Sequence, residues 1–140
     1  MMKKNTAELL KELKNCERFE NYYDDNENAL LNVQLSEALR EFAAAKGLKK
    51  SEIIRRSELN ETYAHQIFSG KRHPERDKLI CLVIGMELDI DEAQELLKKS
   101  GYAQLYARDK RDSVLIYAVS HKFTLSETNE MLDKYGFQSI

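Results

Sequence analysis

Residues 47–74, GLKKSEIIRRSELNETYAHQIFSGKRHP, decide how the rest of the chain is interpreted. Their pattern predicts two short helices, at residues 50–57 and 61–69, joined by a tight turn and followed by a basic loop. Asn60 is expected to cap the second helix, and Gly70 is expected to end it in the left-handed conformation. Helices this short are not stable alone, so the stretch requires a surrounding core.

Each of these two helices has one apolar face and one polar face. The side chains predicted to face the core are Ile53, Ile54, Ser57, Ala64, Ile67 and Phe68. The second helix then presents polar side chains outward, beside a loop that is rich in cations. This combination is what a protein needs to place a helix in the major groove of DNA and to hold the flanking phosphates.

The wider region, residues 31–100, resembles the five-helix, lambda-repressor-like helix-turn-helix domain of Xre-type regulators. The positions that carry the resemblance are Gly47-Leu48, Lys50 at the usual Gln position, Asn60 at the usual Ser/Thr position, Ala64, Ile67, the run Phe68-Ser69-Gly70-Lys71, and Pro74. No gap is needed across them. The resemblance implies double-stranded DNA as the partner, recognition through residues 61–69, and a role in transcription regulation.

Three positions depart from the family pattern. Glu58 stands in the turn where the family often has Gly, so we expect it either to adopt a less extreme φ or to be strained. Ile54 replaces a usual Ala and implies a slightly wider helix crossing. Phe68 replaces a Glu that many members pair with an Arg. The position facing it is near Ala43, so we expect hydrophobic packing in place of that ion pair.

The composition predicts a helical, cytoplasmic protein. The 140 residues include one Pro, five Gly and no Trp, which favours an all-α fold with one domain, or one domain and an extension. Cys16 and Cys81 lie far apart without His at ligand spacing, so reduced thiols are favoured over a metal site. Because no catalytic motif, cofactor motif, signal peptide or membrane-spanning run is present, neither an enzyme nor a membrane protein is predicted.

Charge is unevenly distributed along the chain. The net charge is −2, but residues 46–78 contain nine Lys or Arg and five Asp or Glu, a local charge of +4 that leaves −6 elsewhere. A positive region at this place is what DNA binding requires. A solvated surface of mixed charge is the alternative interpretation.

We predict two groups of DNA contacts. The side chains predicted to meet base edges in the major groove are Glu61, Thr62, His65 and Gln66. The side chains predicted to contact phosphates are Lys49, Lys50, Asn60, Tyr63, Ser69, Lys71, Arg72, His73 and Arg76. For both groups the alternative is an ordinary exposed polar surface.

The N-terminal segment, residues 1–30, is predicted to form an amphipathic helix and an acidic linker. Apolar residues recur at helical spacing over residues 6–23, with Thr6 as the expected cap. Residues 24–28, DDNEN, have the composition of a linker. The apolar stripe of this helix must pack on the body or on a second copy.

Further helices are predicted on both sides of the central stretch. Residues 31–46 form the first helix of the DNA-binding body, and residues 76–86 form an almost wholly apolar core helix that Gly85 is expected to end. A helical extension, residues 101–140, contains a helix at residues 112–121. The cap of that helix is either Asp109 or Asp112.

The last third of the chain contains an internal repeat. Residues 88–105, LDIDEAQELLKKSGYAQL, align without gaps on residues 123–140, FTLSETNEMLDKYGFQSI, at an offset of 35 residues. Each copy is predicted to contain a cap with a Glu three residues later, a short helix, and a Gly followed by an aromatic residue. Two copies are too few for a solenoid, so we interpret the repeat as one unit used twice around a shared core.

These observations lead to two hypotheses from different classes. The first is a sequence-specific DNA-binding regulator that acts as a homodimer. One short recognition helix reads only a few base pairs, so useful specificity needs two half-sites about 34 Å apart. The second is a helix-turn-helix fold reused as a protein-interaction adaptor without DNA binding, with the N- or C-terminal helices as further contact surfaces.

Overall fold

The computed structural model describes residues 4–26 and 31–140. Within these ranges the chain forms nine helices: α1 (Thr6–Asn15), α2 (Phe19–Asn26), α3 (Leu31–Ala45), α4 (Lys50–Ser57), α5 (Glu61–Ser69), α6 (Arg76–Gly85), α7 (Ile90–Lys99), α8 (Lys110–Ser120) and α9 (Leu125–Lys134). The described residues contain no strand, which confirms the all-α class. None of the described helices is long and apolar enough to cross a bilayer.

The prediction of one continuous N-terminal helix is wrong. The chain leaves the helical conformation at Cys16, with φ −73° and ψ 139°, and α2 begins at Phe19. Asn5, rather than Thr6, caps α1 by accepting a hydrogen bond from the amide of Glu8 at 2.8 Å. The apolar spacing continues across the break, so periodicity alone does not reveal it.

The predicted acidic linker at residues 24–28 is wrong in its first part. Residues 24–26 are the last turn of α2. Residues 27 and 28 lie outside the described residues.

The two helices of the central stretch have the predicted bounds, and α5 has the predicted signals at both of its ends. The side chain of Asn60 accepts a hydrogen bond from the amide of Tyr63 at 3.0 Å, and Gly70 has a φ of 85°. Between the helices, Glu58 adopts the left-handed conformation with φ 55° and ψ 18°. A non-glycine residue in this conformation costs about 1–2 kcal/mol, so the turn is strained.

Helix α6 is the centre of the core, with every residue from Leu79 to Gly85 buried. The predicted role of Gly85 as a helix stop is wrong, because Met86 is the cap and Glu87 takes the left-handed conformation with φ 53°. A Cβ atom at Gly85 would lie 2.6 Å from the carbonyl oxygen of Ile53. Glycine is therefore needed here so that α6 can pack closely on α4.

The repeated unit forms as predicted. Both α7 and α9 have a capping box, formed by Asp89 with Glu92 and by Thr124 with Glu127. Both helices end at a glycine in the left-handed conformation, with φ 83° at Gly101 and 80° at Gly136. The amides of the aromatic residues that follow, Tyr102 and Phe137, donate to Leu97 and Leu132 at 2.9 and 2.8 Å.

In the structure the repeat is longer than the sequence comparison indicated. It also includes α6 and α8, whose first turns both contain Arg-Asp, at residues 76–77 and 111–112. The residues after these helices, Glu87 and Lys122, are both left-handed at φ 53° and 55°. We name residues 76–105 unit 1 and residues 111–140 unit 2.

The two units are joined by reciprocal ion pairs. The guanidinium of Arg76 in unit 1 donates to both carboxylate oxygens of Asp112 in unit 2, at 3.0 and 2.8 Å. Arg111 in unit 2 donates in the same way to Asp77 in unit 1, at 2.9 Å to each oxygen. Because α6 also packs on α9 and α7 on α8, the units associate reciprocally, as the subunits of an isologous dimer do.

The end of each unit is fixed by a side-chain amide. Gln94 exchanges two hydrogen bonds with the backbone of Leu105, both at 2.8 Å. Asn129 does the same with Ile140, at 3.3 and 2.9 Å. Asp109, one of the two caps considered for α8, accepts from the amide of Asp112 and allows the helix to begin at residue 110.

Candidate nucleic-acid interface

Helix α5 is held by its apolar face and leaves the opposite face toward solvent. Ala64 and Ile67 are fully buried, and Phe68 is 3 % exposed. Ser57 is also fully buried, and its hydroxyl donates to the carbonyl of Ile54 at 2.7 Å, which fixes the end of α4 beside the turn. The orientation of α5 is therefore set by the core and by the turn before it.

The four side chains predicted to meet base edges lie together on the outer face of α5. Glu61, Thr62 and His65 are exposed, and Gln66 is partly buried. His65 Nε2 lies 3.8 Å from Glu61 Oε1, which becomes an ion pair when the imidazole is protonated. Gln66 Oε1 accepts a hydrogen bond from Arg72 Nε at 3.2 Å. Gln66 keeps its amide N–H groups and a second oxygen lone pair for a base edge.

Four predicted phosphate contacts are exposed cations, two at the start of α4 and two in the loop after α5: Lys49, Lys50, Lys71 and Arg72. The ammonium of Lys50 lies 5.5 Å from the ring centroid of Phe68, within range of a cation–π interaction. Within the described ranges, neither Lys49 nor Lys71 has an ion-pair partner. Their charges are available to an external anion.

Three other predicted phosphate contacts already have a local role. Asn60 uses its side-chain oxygen as the cap of α5, which leaves its amide N–H groups free to donate. The hydroxyl of Ser69 donates to the carbonyl of Gln66 at 3.1 Å. Tyr63 is partly buried, and its pKa is raised first by burial and then by the charge of Glu75.

The loop after α5 is held by unit 1. The ring of His73 stacks on that of Tyr102, with centroids 5.0 Å apart and an interplanar angle of 13°. The hydroxyl of Tyr102 donates to the carbonyl of Pro74, and burial raises the pKa of Tyr102 to about 12. The tyrosine therefore stays neutral and remains a donor. His73 itself is exposed, at the edge of the candidate interface.

Arg76 has a structural role that the sequence did not reveal. Besides Asp112, it donates to the carbonyls of Ala103 and Gln104, so four of its five N–H groups are used within the chain. A phosphate contact by Arg76 would require breaking this bidentate pair. We therefore exclude Arg76 from the candidate interface.

Sequence reasoning also missed Tyr102, which contacts the loop beside the interface, and Asp112, which contacts Arg76 outside it. Tyr102 holds the loop carbonyl, and Asp112 holds the first residue of α6. The available signals were the aromatic residue after Gly101 and the repeated Arg-Asp pair. Neither signal identifies its partner, because the partners lie 28 and 36 residues away in sequence.

Carboxylates lie both on the recognition face, at Glu61, and beside it, at Glu58. Glu58 and Glu61 line a shallow depression of about 360 Å³ together with Arg55 and His65. The surface is therefore of mixed sign rather than uniformly positive. A face of this kind is poorly suited to general phosphate binding and better suited to selective contacts.

No group of His, Cys, Asp or Glu in the described part of the chain is arranged to hold a metal ion. Cys16 and Cys81 are free thiols. Cys81 is buried, and burial raises its pKa to about 11, so its thiol is protonated and unreactive.

Comparisons with protein-family models, with curated proteins and with solved structures found no match to this chain.

Proposed function

We propose that the chain is a sequence-specific DNA-binding regulator that reads the major groove with α5. In this proposal helices α3 to α7 form a lambda-repressor-like domain, and the protein acts in the cytoplasm. The main support is the outer face of α5 with its four polar side chains, together with exposed cations at the start of α4, Lys49 and Lys50, and in the loop after α5, Lys71 and Arg72. The resemblance of residues 31–100 to Xre-type domains supports the same function.

The proposed contacts divide into readout and positioning. Gln66 pairs with adenine, Glu61 accepts from cytosine, and Thr62 contacts a thymine methyl group. The hydrogen bond from Arg72 orients the Gln66 amide, so Arg72 contributes both to readout and to phosphate binding. The lysines position α5 in the groove and make binding sensitive to salt.

A homodimer on two half-sites is part of this proposal. A helix of nine residues presents four outward side chains, which is enough to discriminate only a few base pairs. Two copies with half-sites about 34 Å apart provide the specificity that a regulator needs.

Selection from a random DNA pool at low salt tests the proposal. We expect enrichment of a two-part motif. Gln66→Ala should relax the preference at one position of each half-site, by about 1–3 kcal/mol. Lys71→Ala should weaken binding to all DNA sequences similarly. It should also reduce the slope of log affinity against log salt concentration by about 1.

Lys98→Ala, at an exposed lysine of α7, is the matched control and should leave affinity and salt slope unchanged. If no sequence is enriched at low salt, the DNA-binding proposal is wrong.

The alternative is a protein-interaction adaptor built on the same fold. Two observations favour it. The recognition face carries Glu61 and has Glu58 beside it, and Phe19 and Tyr23 of α2 are 60 % and 43 % exposed. Under this alternative the DNA selection yields no motif, and Phe19→Ala removes binding of a protein partner while Gln66→Ala does not.

A further inference from the structure

Units 1 and 2 differ in the exposure of one face, which is formed by the two helices of each unit. In unit 1 this face is closed, since Leu79, Leu82, Leu96 and Ser100 are completely buried. The equivalent side chains of unit 2, each 35 residues later, are Val114, Tyr117, Met131 and Tyr135. Tyr117 is 46 % exposed and Tyr135 is 57 % exposed. The same face is therefore open in unit 2.

The open face forms an apolar groove of about 430 Å³ between α8 and α9. Its main lining residues are Lys110, Val114, Tyr117, Met131, Tyr135 and Phe137. We name it the α8–α9 groove. Exposed aromatic and aliphatic side chains gathered in this way mark an interaction site.

The cover of unit 1 indicates what belongs in the groove. Helix α3 packs on α7 of unit 1, and Lys46 near its end forms an ion pair with Glu92 at 3.0 Å. The residue of unit 2 that corresponds to Glu92 is Glu127, which is exposed and has no cation partner within the described ranges. Unit 2 thus lacks the amphipathic helix, with a lysine at its edge, that unit 1 has.

Helix α1 has the features of that missing cover. None of its residues is buried, and Leu10 and Leu13 are 50 % and 42 % exposed. Leu9, Leu13 and Cys16 have the same spacing, i, i+4 and i+7, as Leu35, Leu39 and Phe42 of α3. The stripe on α1 is thus arranged like the stripe with which α3 covers unit 1.

One pair of opposite charges lies at the edges of α1 and of the groove. Helical geometry places Glu8 and Glu12 on one side of the leucine stripe of α1, where Glu12 forms an ion pair with Lys4 at 2.5 Å. Lys11 and Lys14 lie toward the opposite side of the helix. The groove has Lys110 on its α8 side. One orientation of α1 brings Glu8 beside Lys110.

We propose that the α8–α9 groove binds helix α1 of a second copy of this chain. Leu13 of the stripe and Tyr117 and Tyr135 of the groove are exposed in the single chain, so an exchange between two copies buries two of each. A reciprocal exchange of this kind closes as a two-fold dimer and leaves no open surface for further growth. This self-association does not depend on DNA binding, although it supplies the dimer that the proposed function requires.

Photo-cross-linking of the full chain tests which copy fills the groove. Leu13 is replaced by p-benzoylphenylalanine in an equal mixture of ¹⁴N- and ¹⁵N-labelled chains, and the cross-linked peptides are identified by mass spectrometry. We expect cross-links from position 13 to α8 or α9 in which the two peptides carry different labels. Cross-links only within one label, to sites outside the groove, or to no site at all would overturn the proposal.

Sedimentation of charged variants tests the same contact thermodynamically. Tyr117→Lys in the groove and Leu13→Lys in α1 should each raise the dimer dissociation constant about 30-fold or more, as expected for the loss of a buried anchor. Tyr106→Lys is the matched control, because Tyr106 is 60 % exposed and does not line the groove. An equal effect of the control variant would contradict the proposal.

Mixing the two charged variants separates a lost contact from a lost fold. The Leu13→Lys chain keeps an intact groove and the Tyr117→Lys chain keeps an intact α1, so a mixed dimer retains one of two contacts. The equimolar mixture should therefore dimerise more tightly than either variant alone. If the mixture dimerises no more tightly than either variant alone, the exchange of α1 is contradicted.

The outcome is distinguishable from that of the DNA experiment. If mixed-label cross-links form but no DNA motif is enriched, the proposed function fails and the dimer stands. If a motif is enriched but Tyr117→Lys leaves both the dimer and the affinity for two half-sites unchanged, the groove is not the dimer surface.

Discussion

Units 1 and 2 share one architecture but have different surroundings. Both contain a helix, a left-handed residue, a capped second helix and a glycine stop, and they bind each other through reciprocal Arg–Asp pairs. Unit 1 is enclosed by α3 and α4, whereas the corresponding face of unit 2 is open to solvent. Residues at equivalent positions therefore differ between the units, because those of unit 1 pack against α3 and α4 and those of unit 2 face solvent.

Positions 85 and 120, which are equivalent in units 1 and 2, should differ most in how a substitution changes the free energy of unfolding. Gly85→Ser would place a Cβ 2.6 Å from the backbone oxygen of Ile53, so α4 and α6 must separate. We therefore expect a loss of about 3 kcal/mol in the free energy of unfolding. The reverse change at the equivalent exposed position, Ser120→Gly, should cost only about 0.5 kcal/mol through helix propensity. Urea unfolding of both variants measures the difference. Equal losses would mean that close packing is not the reason for glycine at position 85.

The two ion pairs give the next contrast, since they are equivalent in sequence but not in burial. The side chain of Asp112 is 10 % exposed and also accepts from the amide of Tyr106, whereas that of Asp77 is 35 % exposed. We expect Asp112→Asn to cost about 2 kcal/mol and Asp77→Asn about 1 kcal/mol or less. Chemical unfolding of both variants decides this. A greater loss for Asp77→Asn would contradict the burial argument.

The Asp112 pair also predicts an acid dependence of stability. Burial by itself raises the pKa of Asp112, but the hydrogen bonds from Arg76 and from the Tyr106 amide outweigh it, and the net direction is downward. A lowered folded-state pKa gives stability that is present above the unfolded value of about 3.9 and is lost as pH falls through the folded value. Between pH 6 and pH 2 the free energy of unfolding should therefore fall less steeply for Asp112→Asn than for the unchanged chain. Identical profiles would show that Asp112 does not contribute.

Positions 102 and 137 give the smallest contrast. Tyr102→Phe leaves the buried Pro74 without the hydroxyl that donates to its carbonyl, at a cost of about 1 kcal/mol. Phe137→Tyr, in the equivalent place of unit 2, should change the free energy of unfolding by less than about 0.5 kcal/mol. Thermal unfolding of the pair tests this. If the DNA proposal holds, only Tyr102→Phe should also weaken DNA binding, because the loop at His73 is then less firmly held.

Much of the local structure was predictable because its signals lie within four residues. The starts of α5, α7 and α9 follow from the caps Asn60, Asp89 and Thr124, whose side chains accept from amides three residues later. The same kind of reasoning failed at Cys16, because the apolar period continues through the break between α1 and α2. Local signals predict where a helix can form, but a short interruption in phase with the period escapes them.

The candidate interface was predictable only in part. The outward residues of α5 follow from helical geometry, and the structure places all four on one exposed or partly buried face. Arg76 was grouped with the phosphate contacts because its charge and its place after the basic loop were all that could be read. Its partner, Asp112, is 36 residues away, and no spacing rule connects them.

The amino-acid sequence by itself determined the helical class, most helix ends and the existence of a repeated unit, because caps, glycine stops and apolar periods act over one or two turns. Only the tertiary structure decided that the units pair reciprocally through Arg76–Asp112 and Arg111–Asp77, that Gly85 is a contact rather than a stop, and that one copy is covered while the other is open. These features depend on which distant surfaces meet, and pairwise packing over 30 or more residues leaves no local pattern from which it could be inferred.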